Sequence, residues 1–332
     1  MTANNRKIRW GVLGYARIAR ESVIPAMLRS SNSEFVALAS RDETKLLEAQ
    51  KRYSIPKTYL GYEALLQDPS IDAVYIPLPN SQHYEWTLRA AAHGKHVLCE
   101  KPLALNAAQV RNMIAACATH RVTLMEAFMY RYTHRTTRVR EIIRSGVLGE
   151  IKFIHAGFRY LMGNPASIKL QPALGGGALY DVGCYPVNLI GWIADEIAGQ
   201  PGTGAIKPVS VAAESVDSGG IDLVFSAILK YASGLVATAH CGLNAHKRVV
   251  AEVVGTQGVL EIPETYFDDA TPLVLIAGDQ RTEIPVQASD RYGREVEDFS
   301  DAILQARRPH FSLDESLRNA EVIDQLFAAA KK

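Results

Sequence analysis

An N-terminal doubly wound α/β domain, followed by an α+β domain with a large, mostly antiparallel open sheet, is the fold class this sequence predicts. Three observations carry that expectation. Up to about residue 125, short apolar runs alternate with amphipathic, helix-like stretches. From about residue 150 the runs lengthen and many alternate apolar with polar residues. The 332 residues also exceed one typical core, so two domains are expected. The boundary is placed between residues 125 and 126, with the closing helices free to pack back on the first domain.

The runs of the first half are IRWGVLG, FVALAS, AVYIPLP, HVLCE and VTLMEA. Their lack of polar alternation suits strands covered on both faces, as in a parallel sheet flanked by helices. DETKLLEAQKRY, SQHYEWTLRAAAHG and NAAQVRNMIAACATH supply the intervening helices. In the second half EIKFIHAGFRY, IDLVFSAILKY, GLVATAHCGL, RVVAEVVG and GVLEIP read as strands, with KYASGL and GTQGV as hairpin connections. Two helices close the chain. The second opens with Ser312 three residues before Glu315, a capping-box spacing.

Composition excludes several function classes. A net charge of +1 gives no reason to expect nucleic acid or an anionic membrane as partner. No apolar stretch approaches the roughly 18 residues that span a bilayer. Cys99, Cys117, Cys184 and Cys241 form no CxxC pair, so neither a metal site nor a disulfide framework is expected. The opening MTANNRKIRWGVLG enters a strand without an apolar h-region, and the expected location is cytoplasmic.

The first strand ends in a degraded form of the G-x-G-x-x-G/A turn. Gly14 takes the tight turn, Ala16 the second glycine position and Ala19 the third, with Arg17 and Ile18 between. The second position needs a small residue so that the backbone can approach a pyrophosphate at the helix N-terminus. A Rossmann dinucleotide site follows. About 20 residues on, an NAD-preferring site would place a carboxylate on the ribose 2′-hydroxyl. Ser40-Arg41 stands there instead, and a guanidinium suits a 2′-phosphate. NADP(H) is therefore expected to be preferred, with NAD(H) left open. Glu100-Lys101-Pro102 closes the run GKHVLCEKP and puts a cation just beyond a buried strand, with Glu100 and Lys101 both expected among the cofactor-binding residues.

With these motifs the chain resembles the glucose–fructose oxidoreductase / inositol dehydrogenase / MocA family. Further matches are Pro79-Asn80 with His83 in LPNSQH, EAFMYR at residues 126–131, GGGALYDVGCYPVN at residues 175–188 and the closing EVEDFSDAI. The resemblance implies NAD(P)-linked oxidation or reduction at a secondary carbinol of a sugar, polyol or related cyclic substrate. It also implies a homodimer or homotetramer formed through the second domain's sheet. It places Pro79, Asn80 and His83 near the nicotinamide and Arg131 against cofactor or substrate. EAFMYR and the tyrosine of DVGCY look most like the branch of sugar dehydrogenases, ketoreductases and dimeric dihydrodiol dehydrogenase.

Hydride transfer to a ketone needs a proton donor at oxygen, and Tyr185 is the first candidate. A free phenol, with pKa about 10, needs a nearby cation to act near neutrality, which Lys101 could supply. The reverse assignment, Lys101 as immediate donor, stands equally open. Asp181, four residues before Tyr185, shares its helix face if the helix starts after the GGG run, which Pro186 requires. Its expected role is to orient Lys101 or bind a substrate hydroxyl. Two rival readings are a dehydrogenase of less polar diols and a non-catalytic NADP-binding sensor.

Overall fold

The computed structural model describes residues 6–267 and 270–331. Residues 1–5, part of the stretch read for an export signal, lie outside them. The chain divides into two compact units. The first comprises residues 1–104, 108–129 and 290–313, and the second residues 105–107, 130–289 and 314–332.

The first unit is built on a six-stranded sheet of β1 (Ile8–Leu13), β2 (Ser33–Ser40), β3 (Lys57–Leu60), β4 (Ala73–Ile76), β5 (His96–Glu100) and β6 (Leu124–Ala127). Their order is β3-β2-β1-β4-β5-β6 and every pair is parallel. The order reverses at β1/β4, the switch point at whose carboxyl edge doubly wound folds bind ligands. All five apolar runs are strands. β3 has no such run because, as an edge strand, it buries none of its four residues fully. The connecting helices are α1 (Ile24–Arg29), α2 (Glu43–Tyr53), α3 (Tyr62–Gln67), α4 (Asn80–Ala92) and α5 (Ala107–Thr119).

In the second unit, α6 (His134–Arg144) precedes β7 (Ile151–Leu161), and α7 (Cys184–Ile197) follows it. Then come β8 (Ser210–Ser218), β9 (Ile221–Lys230), β10 (Val236–Gly242), β11 (Asn244–Gly255), β12 (Gly258–Pro263), β13 (Leu273–Ala277) and β14 (Gln280–Ile284). The sheet order is β14-β13-β12-β11-β7-β10-β9-β8, antiparallel except where β10 runs parallel to β7. α7 is buried on all sides from residue 184 to 196 and packs against β7 and β10. On the opposite face of the sheet, the register aligns Phe153, Leu161, Val216 and Ile228, all substantially exposed.

The closing helices are α8 (Arg291–Leu304) and α9 (Leu313–Ala330). α8 belongs to the first unit. Trp10 donates to Ser33 and Ser300 and packs on Phe299, with ring centroids 5.4 Å apart. Asn32 donates to Asp301 at 2.7 Å.

Candidate active site

The carboxyl ends of β1, β2, β4 and β5 bring most of the predicted first-unit residues to one sheet edge. Gly14 follows β1 with φ +101° and donates its N–H to the Ala39 carbonyl at 2.8 Å. A Cβ there would also stand 2.9 Å from Leu78, so conformation and space both require glycine. Ala16 offers the carbonyl that receives Arg20 N–H at 3.0 Å and so opens the next helix. Arg17 points to solvent with an ion-pair contact to Glu21, and Ile18 leads into a π-helical turn at residues 19–23. The first N–H groups of such a helix lack intrahelical acceptors and suit an anion.

At the end of β2 the buried Ser40 hydroxyl accepts from Asp42 N–H at 3.1 Å. Asp42 caps α2 through the amides of Thr44 and Lys45, so the nearest carboxylate is committed to the backbone. Arg41 is exposed, its guanidinium 5.8 Å from the Tyr62 ring centroid. Tyr62 in turn reaches toward Gly14, its hydroxyl 3.8 Å from where a Cβ on that residue would lie. The turn and the arginine therefore share one aromatic neighbour.

After β4, Pro79 precedes Asn80, the first residue of α4. His83 is fully buried, with its ring nitrogens 2.9 Å from the Pro102 carbonyl and 2.8 Å from the Leu78 carbonyl. Burial pushes its pKa down, and the neutral ring donates to one carbonyl at a time. It thereby ties the loop after β4 to the loop after β5. Glu100, the last residue of β5, accepts from the Tyr75 hydroxyl at 2.5 Å. Lys101 follows, half-buried, joined to Pro102 by a cis peptide bond. Sequence reading passed over Glu295 on α8. It is fully buried, and neither carboxyl oxygen has a hydrogen-bond partner among the described residues. Burial first, then repulsion from Glu100, raises its pKa well above the usual carboxylate range.

The second unit carries the other predicted residues. The helix that ends as α7 starts directly after Gly177 with a π turn, Leu179–Gly183, so Asp181 lies in that turn and Tyr185 one turn later. Pro186 falls at the start of the α segment, where its missing N–H disrupts least. Tyr185 is 5% exposed within an aromatic cluster of Tyr130, Phe158 and Tyr266, at centroid distances of 6.0, 5.6 and 5.2 Å. Asp222 of β9, which no sequence motif flags, caps the turn by accepting from Leu179 N–H at 2.7 Å. Gly177, with φ +123°, leaves the space its Oδ1 occupies. Burial raises the Asp222 pKa to about 6.

Asp181 accepts from Tyr160 at 2.7 Å and lies 2.9 Å from Lys169 Nζ. Neither partner stood out in sequence, because β7's register and a loop bring them there. Arg131 is buried, paired with Glu315 at 2.7 Å and stacked 5.0 Å from the Trp192 ring centroid. Among the described residues no group of three or more His, Cys, Asp or Glu side chains is arranged to hold a metal, and no helix is long and apolar enough to cross a membrane.

Comparison with known proteins agrees across nearly the whole length. Residues 8–128 match the model of the oxidoreductase family with an NAD-binding Rossmann fold, and residues 136–261 match the GFO/IDH/MocA C-terminal domain. A D-xylose 1-dehydrogenase (NADP(+)) from Haloferax volcanii is 36% identical, with 97% of each chain covered. A trans-1,2-dihydrobenzene-1,2-diol dehydrogenase from Xenopus tropicalis is 31% identical over 96% of each chain. Among solved structures, a Tyr-to-Phe variant of the 3-ketoreductase KijD10 from Actinomadura kijaniata, in complex with TDP-benzene and NADP, superposes with a TM-score of 0.90. It is 28% identical and 98% of each chain is covered. A Lys-to-Ala variant of the same enzyme was also solved. The chain belongs to the GFO/IDH/MocA family of NAD(P)-linked oxidoreductases.

Proposed function

We propose that this protein is an NADP(H)-dependent oxidoreductase acting at a secondary carbinol or ketone of a sugar, polyol or related cyclic substrate. In this reading Lys101 and Tyr185 handle the proton, residues 1–125 bind the dinucleotide and residues 126–332 bind substrate. The observation that carries it is the alignment of Gly14, Ser40-Arg41, Asn80 and Lys101 along one edge of the parallel sheet. Further support comes from spacing. Lys101 and Tyr185 are separated by the same number of residues as the lysine and tyrosine replaced in the KijD10 variants.

The first unit's residues fit such a cofactor. Gly14 keeps the strand-to-helix turn open to a pyrophosphate. The exposed Arg41, with no free carboxylate beside it in sequence, suits a 2′-phosphate. The nicotinamide, when bound, supplies or accepts the hydride. Lys101 contributes a fixed positive charge that lowers the cost of negative charge on the substrate oxygen. Tyr185 is the proposed partner that gives a proton to that oxygen or takes one from it. Asp181 binds and orients a substrate hydroxyl.

A second reading, oxidation of arene trans-diols, draws on the aromatic cluster around Tyr185 and on the likeness to the Xenopus tropicalis enzyme. The exposed apolar residues Phe153, Leu161, Val216 and Ile228 support a homodimer through the open sheet face. The test is turnover of purified protein with NADP⁺ and with NAD⁺ on neutral sugars, polyols and arene diols. Reduction of NADP⁺ by a neutral sugar or polyol is expected. Tight NADPH binding with no turnover on any substrate would instead favour a sensor.

A further inference from the structure

Lys169, Tyr160 and Asp181 form a closed triangle of polar atoms in the second unit. Lys169 Nζ lies 2.9 Å from Asp181 Oδ1 and 3.2 Å from the Tyr160 hydroxyl, which itself donates to Asp181 Oδ2 at 2.7 Å. The triangle is built into the fold. Tyr160 sits on the same face of β7 as Phe158, two residues earlier, which packs against Tyr185. Lys169 comes from the loop between β7 and α7, and that loop is fastened to the start of the helix. Gly177 N–H donates to the Lys169 carbonyl at 2.9 Å and Gly176 N–H to the Gln171 carbonyl at 3.0 Å. A Cβ on Gly176 would come within 2.6 Å of the Lys169 carbonyl oxygen. The GGG run, legible in sequence as a helix start, thus also fixes the lysine.

Exposure separates this triangle from an internal brace. The Asp181 side chain is 8% exposed but that of Lys169 is 45% exposed. An ammonium carries three N–H donors and the triangle engages two. Within the triangle the Lys169 cation offsets the Asp181 carboxylate. A paired cation and carboxylate that both donate and accept match a hydroxyl group better than a phosphate or carboxylate.

We infer that Lys169 and Tyr160, with Asp181 between them, clamp a hydroxyl of a neutral polyhydroxylated substrate, and that Lys169 is a specificity-determining residue. The inference rests on the proposed oxidoreductase function and narrows its substrate class. Lys169→Met keeps the length of the stem and removes the charge and donors. Lys169→Arg keeps both. Wild type and both variants are assayed with NADP⁺ on D-xylose, D-glucose, D-glucuronate and trans-1,2-dihydrobenzene-1,2-diol, with NADPH affinity measured in parallel by fluorescence.

The wild type is expected to prefer a neutral sugar over D-glucuronate and over the diol. Lys169→Met should lower kcat/KM for the preferred sugar about 10- to 100-fold, mostly through KM, with NADPH affinity within about threefold of wild type and a smaller loss on the diol, which offers the clamp one hydroxyl instead of several. Lys169→Arg should retain most of the sugar activity. An unchanged sugar-to-diol ratio in Lys169→Met, an equal loss on both, or a wild-type preference for D-glucuronate or the diol overturns the clamp while leaving the oxidoreductase reading intact. A wild type inert on all four overturns both.

Discussion

The second unit uses buried charge in two ways. In the first cluster Arg131 pairs with Glu315 at 2.7 Å and Arg318 with Asp195 at 2.5 Å, and all four side chains are at most 2% exposed. Arg318 passes close to α7 only because residue 191 is glycine, where a Cβ would lie 2.6 Å from its Nε. In the second cluster Asp181 is nearly as buried, yet its partner Lys169 reaches solvent. The residue chemistry is the same, carboxylate against cation. What differs is exposure: no partner in the first cluster reaches solvent, whereas Lys169 in the second does. The closed, fully buried network braces α7 against α9. Arg131, which the family motif marks as a contact for cofactor or substrate, lies in the closed network.

Breaking the closed network should give the largest effect on stability. Glu315→Ala leaves Arg131 buried without its carboxylate, and a loss of about 3–5 kcal/mol in denaturant unfolding is expected, with NADPH affinity unchanged in protein that folds. A loss of NADPH affinity without a loss of stability would move Arg131 to the cofactor site. The exposed Arg41 extends the comparison to the first unit, as a cation with no buried carboxylate partner among the described residues. Arg41→Ala should weaken NADPH binding about 10- to 100-fold and NADH binding by less than about threefold, read by fluorescence titration. Equal weakening of both would remove the 2′-phosphate assignment.

Asp222 sharpens the contrast from the other side, as a buried carboxylate held by backbone N–H groups. Asp217 raises its pKa further, and Tyr180 and Cys241 also feel its charge. Its pKa is about 6 in the fold against 3.8 ordinarily, so the folded protein holds this proton more tightly than the unfolded chain. The associated stability is fully present below about pH 4 and is lost as pH rises through about 6. Asp222→Asn should therefore raise Tm by about 2–5 °C at pH 7.5, and the difference should shrink as pH falls below 6. A difference that grows on acidification would contradict the shifted pKa.

Much of the fold was legible because buried parallel strands leave unbroken apolar runs, as in FVALAS and HVLCE. The edge strands β3, β8 and β14 escaped notice because exposed residues interrupt their pattern, whereas β13, LVLIA, is an unbroken apolar run that was passed over. The site divides along the same line. Gly14, Ser40-Arg41 and Lys101 sit at strand ends, where chain position alone predicts the setting. Tyr160, Lys169 and Asp222 act through neighbours set by sheet register and by a loop, information that no local motif holds. Glu315 shows the converse, since its cap-like spacing hid a buried ion pair.

In the proposed mechanism Lys101 supplies charge chiefly for proton handling, with little share in cofactor binding. The direct measurement is NADP⁺ reduction by Lys101→Ala on the best wild-type substrate, alongside its NADPH dissociation constant. Turnover reduced about 10²-fold or more, with the dissociation constant within about threefold of wild type, is the predicted result. Unchanged turnover, or a loss explained wholly by weaker cofactor binding, would contradict it.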